Sequence, residues 1–268
     1  TLDTWFSSGL WTFSTLGWPE KTKDFETYHP TTILETGYDI LFFWVARMIL
    51  MSGFLLGDIP FKTIYLQGLV RDAKGQKISK SIGDNIDPIE IIEKYGADAF
   101  RMSIIVGVGP GSDLNFQEEK TKAYKHFANK LWNATRFVLT NISDDFDYED
   151  KPSIIGVDIE YIEELNALVK DITEDLESYR LYLAGEKLYH YFWHIYADII
   201  IEASKARLAE GSPAEKASSE WVLVHILITS LRLLHPFMPF ITEEIWKELP
   251  FKGKNMLMVE KWPEMSKK

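Results

Sequence analysis

Thr32-Ile33-Leu34-Glu35-Thr36-Gly37-Tyr38-Asp39-Ile40-Leu41-Phe42-Phe43-Trp44-Val45-Ala46-Arg47-Met48 decides how the first part of this chain folds. Thr32 to Glu35 reads as a short strand, Thr36-Gly37 as its turn, and the apolar run from Ile40 to Met51 as a long helix. After Pro60, Thr63-Ile64-Tyr65-Leu66 is rich in β-formers and reads as a second strand. Two strands separated by a helix predict a parallel α/β sheet. The apolar run is interrupted by Asp39 and Arg47 and ended by Gly53 and Gly57. An arginine in mid-bilayer costs at least about 2.5 kcal/mol, so a buried core helix is expected rather than a membrane span.

Upstream, residues 1–30 are aromatic-rich and broken by Gly17, Pro19 and Pro30, which predicts short elements and loops. The sequence opens in mid-motif at Thr1-Leu2-Asp3-Thr4-Trp5-Phe6, without an initiator Met or signal pattern, and a piece of a longer protein is expected. Downstream, Val70 to Gly75 reads as a strand end and turn, and residues 76–87 as a polar stretch. Asp87-Pro88-Ile89-Glu90 then opens a helix: Asp87 caps it, Pro88 suits its first position, and Glu90 is placed to bond back. Gly96 ends that helix, and Asp98 begins another toward Val106. The glycines of Gly107-Val108-Gly109-Pro110-Gly111 resemble a phosphate loop but lack its spacing, so a connector is expected.

From Gln117 the pattern becomes helical, over 117–141, 158–178, 181–209, 213–235 and 239–248. An all-α bundle follows from this, with an acidic loop at 144–156 and a terminal strand at Met256–Val259. At 100° per residue Phe127, Leu131, Ala134 and Val138 share one face, with Lys122, Lys125 and Arg136 opposite. That basic face suits phosphate or plain solvent equally. His190 and His194 have chelating spacing, but aromatics fill the gap and no Glu adjoins His190, so bundle packing is expected and no protein-bound metal.

The composition is that of a globular protein: 268 residues, 46% hydrophobic and 26% charged, enough for one large domain or two medium ones. There is no cysteine, which excludes disulfides and cysteine–zinc sites. The net charge of −11 is not that of a general nucleic-acid binder, so any RNA contact must use local patches and shape.

The chemistry centres on Lys77-Ile78-Ser79-Lys80-Ser81. Two ammonium groups three residues apart, with hydroxyls between, follow a strand and turn. Point cations and flexible donors are what the phosphate oxygens of ATP require. Charge builds on pyrophosphate as a nucleophile attacks the α-phosphorus, and a lysine aimed there stabilises the transition state more than the ground state. Taken alone the string also fits a solvated basic turn. Gly37, at a strand-to-helix turn, lets backbone approach a ligand closely. Asp39 suits a helix-start cap or an acceptor for ribose hydroxyls.

Lys77–Ser81 resembles the KMSKS signature of class I aminoacyl-tRNA synthetases, with Ile78 in place of Met. The flanks Gly68–Gln76 and Gly83-Asp84-Asn85-Ile86-Asp87-Pro88 are similar to that family too. So are Thr4–Trp11, Ser14–Pro19 and Thr36–Met48, in the form of the valyl type; the isoleucyl type usually has Asp where Ser7 stands. Tyr124–Phe137 and Leu234–Trp246 resemble the anticodon domain of the valyl, isoleucyl and leucyl subgroup.

The resemblance covers Thr1 to Pro263 and implies an α/β region, the second half of a Rossmann-like parallel sheet, followed by an all-α helical bundle. Its divisions would be 1–81 (catalytic nucleotide fold), 82–116 (helical connector) and 117–268 (anticodon-binding). It implies ATP-dependent activation of valine and transfer to tRNA(Val) in the cytoplasm, with Mg2+ arriving with ATP. Lys77 and Lys80 would be catalytic, with Ile78, Ser79 and Ser81 completing the loop and Gly37, Asp39, Gln67, Gly68 and Leu69 around the nucleotide. The family more often has His at Gln67, and strand-end packing remains an alternative there. The family's HIGH-bearing half is absent, so the missing N-terminal half is an expected partner and the fragment is expected to be inactive alone. An isoleucyl-type ligase and a non-catalytic tRNA-binding module are the alternatives.

Overall fold

The computed structural model describes residues 3–72, 75–76, 87–250 and 255–264. The chain divides into two compact units, Thr1–Lys77 with Gly109–Asn115, and Ile78–Val108 with Phe116–Lys268.

The first unit begins with α1 (Thr4–Ser14), whose N-terminus is capped by the Asp3 carboxylate on the Trp5 amide at 2.7 Å. A short α2 (Lys23–Tyr28) leads into β1 (Thr31–Gly37). The crossover runs through a 3₁₀ turn (Tyr38–Ile40), a π turn (Leu41–Val45) and α3 (Ala46–Leu56). Gly57, at φ 70°, ends α3 in the left-handed conformation that favours glycine. β2 (Phe61–Gln67) then pairs parallel with β1, in register from Thr31 opposite Phe61 to Gly37 opposite Gln67. A second, minimal parallel ladder joins β3 (Val70–Arg71) to β4 (Leu114–Asn115). This is the predicted strand–helix–strand unit. Its core is small: Leu34, Val45, Met48 and Phe61, with Trp44 and Ile64 packed against them. α1 lies on α3 through Gly9, where an added Cβ would fall 2.9 Å from the Met51 side chain. The buried Arg47 guanidinium sits 3.6 Å over the Trp5 ring and donates to the Ser8 hydroxyl at 2.9 Å.

Residues 1–30 hold the expected short elements, α1 and α2, joined by turns around Gly17 and Pro19. One expectation fails here. The crossover helix is not a buried core helix. Only 22% of its apolar window is buried, and Phe42 (71%), Leu50 (70%) and Phe54 (84%) are widely exposed. Val45, Arg47, Met48 and Ser52 are its covered positions, and the sheet beneath it has two strands.

The second unit is helical: α4 (Pro88–Tyr95), α5 (Ala97–Ile105), α6 (Glu118–Asn141), α7 (Asp158–Glu177), α8 (Leu181–His190), α9 (Ile201–Glu210), α10 (Pro213–Leu234) and α11 (Pro239–Glu248). Asp87 caps α4 by accepting from the Ile89 amide at 2.8 Å, and Gly96, at φ 91°, ends it. Phe127, Leu131, Ala134 and Val138 lie buried along α6, in a core that includes Leu165, Ile172, Leu188, Tyr196, Leu227 and Leu231. α10 is buried nearly all round, since it packs on α6, α7, α8, α9 and α11. Its Ser212 closes a capping box with Glu215.

The bundle departs from its sequence reading in three places. The predicted helix 181–209 contains a π-helical segment, Tyr191–Ile200, where Phe192 and Trp193 pack around Phe127. The terminal segment is a 3₁₀ turn, Leu257–Val259, instead of a strand. His190 and His194 stand at exposed positions, with ring centroids 5.2 Å apart and His194 3.7 Å from Asp198.

Candidate functional site

Parallel strands place their carboxyl ends together, and ligands of open α/β sheets bind just beyond those ends. Gly37 ends β1 and Gln67 ends β2, and the two are cross-strand partners. The predicted nucleotide residues therefore converge on one sheet edge: Gly37 and Asp39 from one strand end, and Gln67, Gly68 and Leu69 from the other. Asp39 is exposed in the 3₁₀ turn, and its Oδ1 lies 2.7 Å from where a Cβ on Gly37 would stand. Gly37 thus keeps the side without a Cβ open to that carboxylate. Gln67 is exposed at the same edge.

Gly68 and Leu69 have a second role that the sequence did not disclose. A Cβ on Gly68 would stand 1.8 Å from the Ser112 carbonyl oxygen, so the strand end is in backbone contact with the 109–115 segment. The Leu69 amide donates to Asp113 Oδ1 at 2.8 Å. The Gly111 amide donates to the Leu66 carbonyl at 2.8 Å, and the Leu114 amide to the Leu69 carbonyl at 2.9 Å. The segment that begins in the predicted connector Gly107–Gly111 therefore forms a wall of the sheet edge.

Asp113 is the focus of that wall. Its Oδ2 meets Arg71 Nε at 2.5 Å and accepts from the Tyr38 hydroxyl at 3.4 Å. The Leu69 amide, then Arg71 and Tyr38, hold its carboxyl below the usual carboxylate range. Its hydrogen bond to Asp113 pushes the Arg71 guanidinium up in return. Arg71 also donates from Nη1 to the Gly75 carbonyl at 3.3 Å. That carbonyl belongs to a turn closed by Asp72 N–H to Gln76 O at 2.9 Å and Gln76 N–H to Asp72 Oδ1 at 2.7 Å. The turn leads directly into Lys77 in the sequence. The five residues Lys77, Ile78, Ser79, Lys80 and Ser81 lie outside the described residues. Among the described residues no three His, Cys, Asp or Glu side chains are grouped to hold a metal.

In the helical unit the two family-like motifs serve packing first. Asp98 is buried and accepts from the Phe240 amide at 3.2 Å and the Ile241 amide at 2.6 Å, capping α11 from another helix. Arg101 donates to the Pro236 and Phe237 carbonyls at 2.7 and 3.1 Å. The Leu234–Trp246 motif is thereby bolted to α5. Burial raises the Asp98 pKa against the pull of its two backbone amides. On α6, Lys122, Lys125 and Arg136 are exposed, and Lys125 donates to the Lys94 carbonyl at 3.0 Å.

Comparison with known proteins assigns this arrangement. Residues 1–117 match the family described as tRNA synthetases class I (I, L, M and V), and residues 158–268 match the anticodon-binding domain of tRNA ligase. The chain belongs to the class I tRNA synthetases. Within that class its similarity is to valine–tRNA ligases: 48% identity over 268 residues with that of Thermotoga maritima, covering 99% of this chain and 30% of the relative. Identity to the Clostridium tetani enzyme is 46% over 265 residues, covering 98% of this chain and 30% of the relative. The chain thus spans about a third of the length of the curated relatives it matches. Solved structures share its fold, two of them as follows. A leucyl-tRNA synthetase of Agrobacterium radiobacter K84, in complex with tRNA and LeuAMS, superposes with TM-score 0.75 at 22% identity, covering 99% of this chain and 33% of that one. Methionyl-tRNA synthetase of Mycobacterium tuberculosis, bound by methionyl-adenylate, gives 0.73 at 19%, covering 90% and 49%.

Proposed function

We propose that this chain is the section of a valine–tRNA ligase that supplies the ATP-clamping edge of the catalytic sheet and the tRNA-binding bundle. The observation that carries the reading is the register of Gly37 opposite Gln67, which brings both predicted nucleotide segments to one sheet edge beside the turn leading into Lys77.

In this reading the valine carboxylate attacks the α-phosphorus of ATP. A P–O bond to the β-phosphate breaks, its electrons leave on pyrophosphate, and valyl-adenylate forms. The valyl group then passes to a hydroxyl of tRNA(Val), releasing AMP. Lys77 and Lys80 stabilise the charge that gathers on the departing pyrophosphate, with Ser79 and Ser81 as hydroxyl donors and Ile78 keeping the apolar bulk of the family's Met. Asp39 accepts from the ribose hydroxyls, while Gly37 and Gly68 let backbone come close and Gln67 and Leu69 border the adenine. Mg2+ arrives with ATP and neutralises phosphate charge. Functionally, 1–81 serves ATP, 82–116 connects, and 117–268 holds the anticodon arm.

The remaining two-thirds of the ligase, including the N-terminal half of the catalytic fold, completes the site in the cytoplasm. The exposed apolar residues Phe42, Phe43, Leu50 and Phe54 form the kind of patch that marks a covered surface. The same patch is no membrane span in this reading, because Arg47 interrupts it and is engaged with Trp5 and Ser8.

The test is valine-dependent ATP–pyrophosphate exchange by the full-length ligase. Lys77→Ala with Lys80→Ala should lower the rate by about a hundredfold or more, in line with loss of transition-state charge stabilisation. The isolated chain should give no exchange, because half of the positioning walls are missing. Undiminished exchange by the double variant, robust exchange by the isolated chain, or a preference for isoleucine would each overturn the assignment.

A further inference from the structure

We infer that Asp113 is a positioning residue for adenylate formation: its carboxylate ties together the turn after β1, the end of β2 and, through Arg71, the turn that precedes Lys77. This rests on the reading of the sheet edge as the ATP site.

Two chain segments far apart in sequence, Tyr38 and Leu69–Arg71, meet on this one side chain. Tyr38 stands between Gly37 and Asp39, in the segment assigned to the ribose side, and its hydroxyl reaches Asp113 at 3.4 Å. Leu69 follows the Gln67-Gly68 strand end, and its amide is held at 2.8 Å. Arg71 is held at 2.5 Å and in turn grips the Gly75 carbonyl, two residues before Lys77. The carboxylate Oδ1 serves the backbone and Oδ2 serves the two side chains, so one group fixes strand end, nucleotide turn and, through Arg71, the turn that precedes Lys77. The fixing is reinforced around it. Gly68 has no room for a side chain against Ser112, and β4 pairs Leu114 with Val70 and Asn115 with Arg71. Nothing in this arrangement requires Asp113 to touch a substrate. Its effect on catalysis is transmitted by the two segments it aligns, and a small misplacement of catalytic groups is costly.

The experiment uses the full-length ligase with Asp113→Asn, Asp113→Ala and, in parallel, Lys77→Ala with Lys80→Ala. Asp113→Asn keeps an acceptor for the Leu69 amide but loses the ion pair with Arg71. It should lower kcat for pyrophosphate exchange and raise KM for ATP, together about tenfold or more in kcat/KM. KM for valine and the thermal unfolding midpoint should be nearly unchanged. Asp113→Ala should lose more, and Arg71→Lys, which retains a cation, should recover part of what Arg71→Gln loses. Wild-type kinetics for Asp113→Asn, while the lysine variant fails, would overturn this inference and leave the ATP-site reading standing. Equal rises in both KM values, or a loss that follows unfolding, would show a merely structural carboxylate. An unaffected lysine variant would overturn the reading itself, and this inference with it.

Discussion

Lowering the pH from 7 to 5 should destabilise the helical bundle through one side chain, His225. This residue lies on α10, with its ring stacked on Trp221 at 4.6 Å and 13°, and on Tyr148 at 6.1 Å and 18°. Its Nδ1 is 2.7 Å from the Tyr148 hydroxyl. Burial pulls its pKa down to about 4, helped by the positive charges of Lys151 and Arg232. Burial also pushes the Tyr148 phenol up to about 12, so both partners are held neutral. The folded pKa is below the ordinary value, so the contribution is fully present above about pH 6.5 and is lost as pH falls toward 4. Between those limits the unfolded chain takes up a proton that the folded chain refuses. The cost is about 1.4 kcal/mol per pH unit, or roughly 3 kcal/mol over the whole window. His235, whose pKa burial also lowers, acts in the same direction. The assay is urea unfolding at pH 7.0, 6.0 and 5.0, followed by circular dichroism, for the wild type and His225→Gln. Glutamine keeps a polar partner for Tyr148 and does not titrate. The wild type should lose about 2 kcal/mol more than the variant between pH 7.0 and 5.0. The comparison cancels the carboxylates Asp113, Glu118, Asp175 and Glu215, whose depressed pKa values also withdraw stability in acid. Parallel curves for the two proteins, or a His225 ring that titrates near its ordinary value by NMR, would refute the argument.

Two further substitutions separate packing from surface. Gly68→Ala places a methyl 1.8 Å from the Ser112 carbonyl oxygen and should destabilise the α/β unit by about 3 kcal/mol or more, read as early protease cleavage within 109–115. Leu131→Ala empties a fully buried position on α6 and should cost about 2–5 kcal/mol in urea unfolding, while Arg136→Ala on the exposed face should change stability by no more than about 0.5 kcal/mol.

What was legible in the sequence was local. The strand–glycine–helix pattern gave β1 to within two residues, because β-branched Thr and Ile precede a glycine turn. Asp87-Pro88 marked the start of α4 because cap and N1 chemistry act within one turn. Buried positions on α6 followed from helical period alone. The candidate site was legible in part: the glycine turn marked Gly37 as a strand end, whereas Gln67 was singled out only by the family resemblance. Asp113 was not legible. Its partners Tyr38 and Leu69 are 75 and 44 positions away, and β4 is two residues long, too short for any alternating pattern. The nearest signal was the glycine-rich stretch preceding it, which looked like a linker because glycine serves linkers and close backbone contacts alike. The roles of Asp98 and Arg101 in holding the Pro236–Ile241 segment were hidden likewise, by separations of more than 130 positions.

The exposed crossover helix carries a different physical lesson. Parallel strands need cover on both faces, since their crossovers place helices there and their residues are apolar on both sides. Here two strands and one crossover leave Phe42, Leu50 and Phe54 in water, and among the described residues Leu34, Val45, Met48 and Phe61 form a small core cluster beneath. Burial stabilises by about 25 cal/mol per Å², so an element that buries one face of one helix gains little of what its sequence offers. The helical unit has the opposite balance: α10 alone places fourteen residues in the interior. Stability in this chain should therefore lie in the bundle, while the residues proposed for ATP stand on the weaker element. The backbone links from Leu66, Gly68 and Leu69 to the 109–115 segment, and the Asp113 carboxylate among them, are what hold that element's edge in shape. The two strand-end segments proposed for the nucleotide are thereby aligned within this chain.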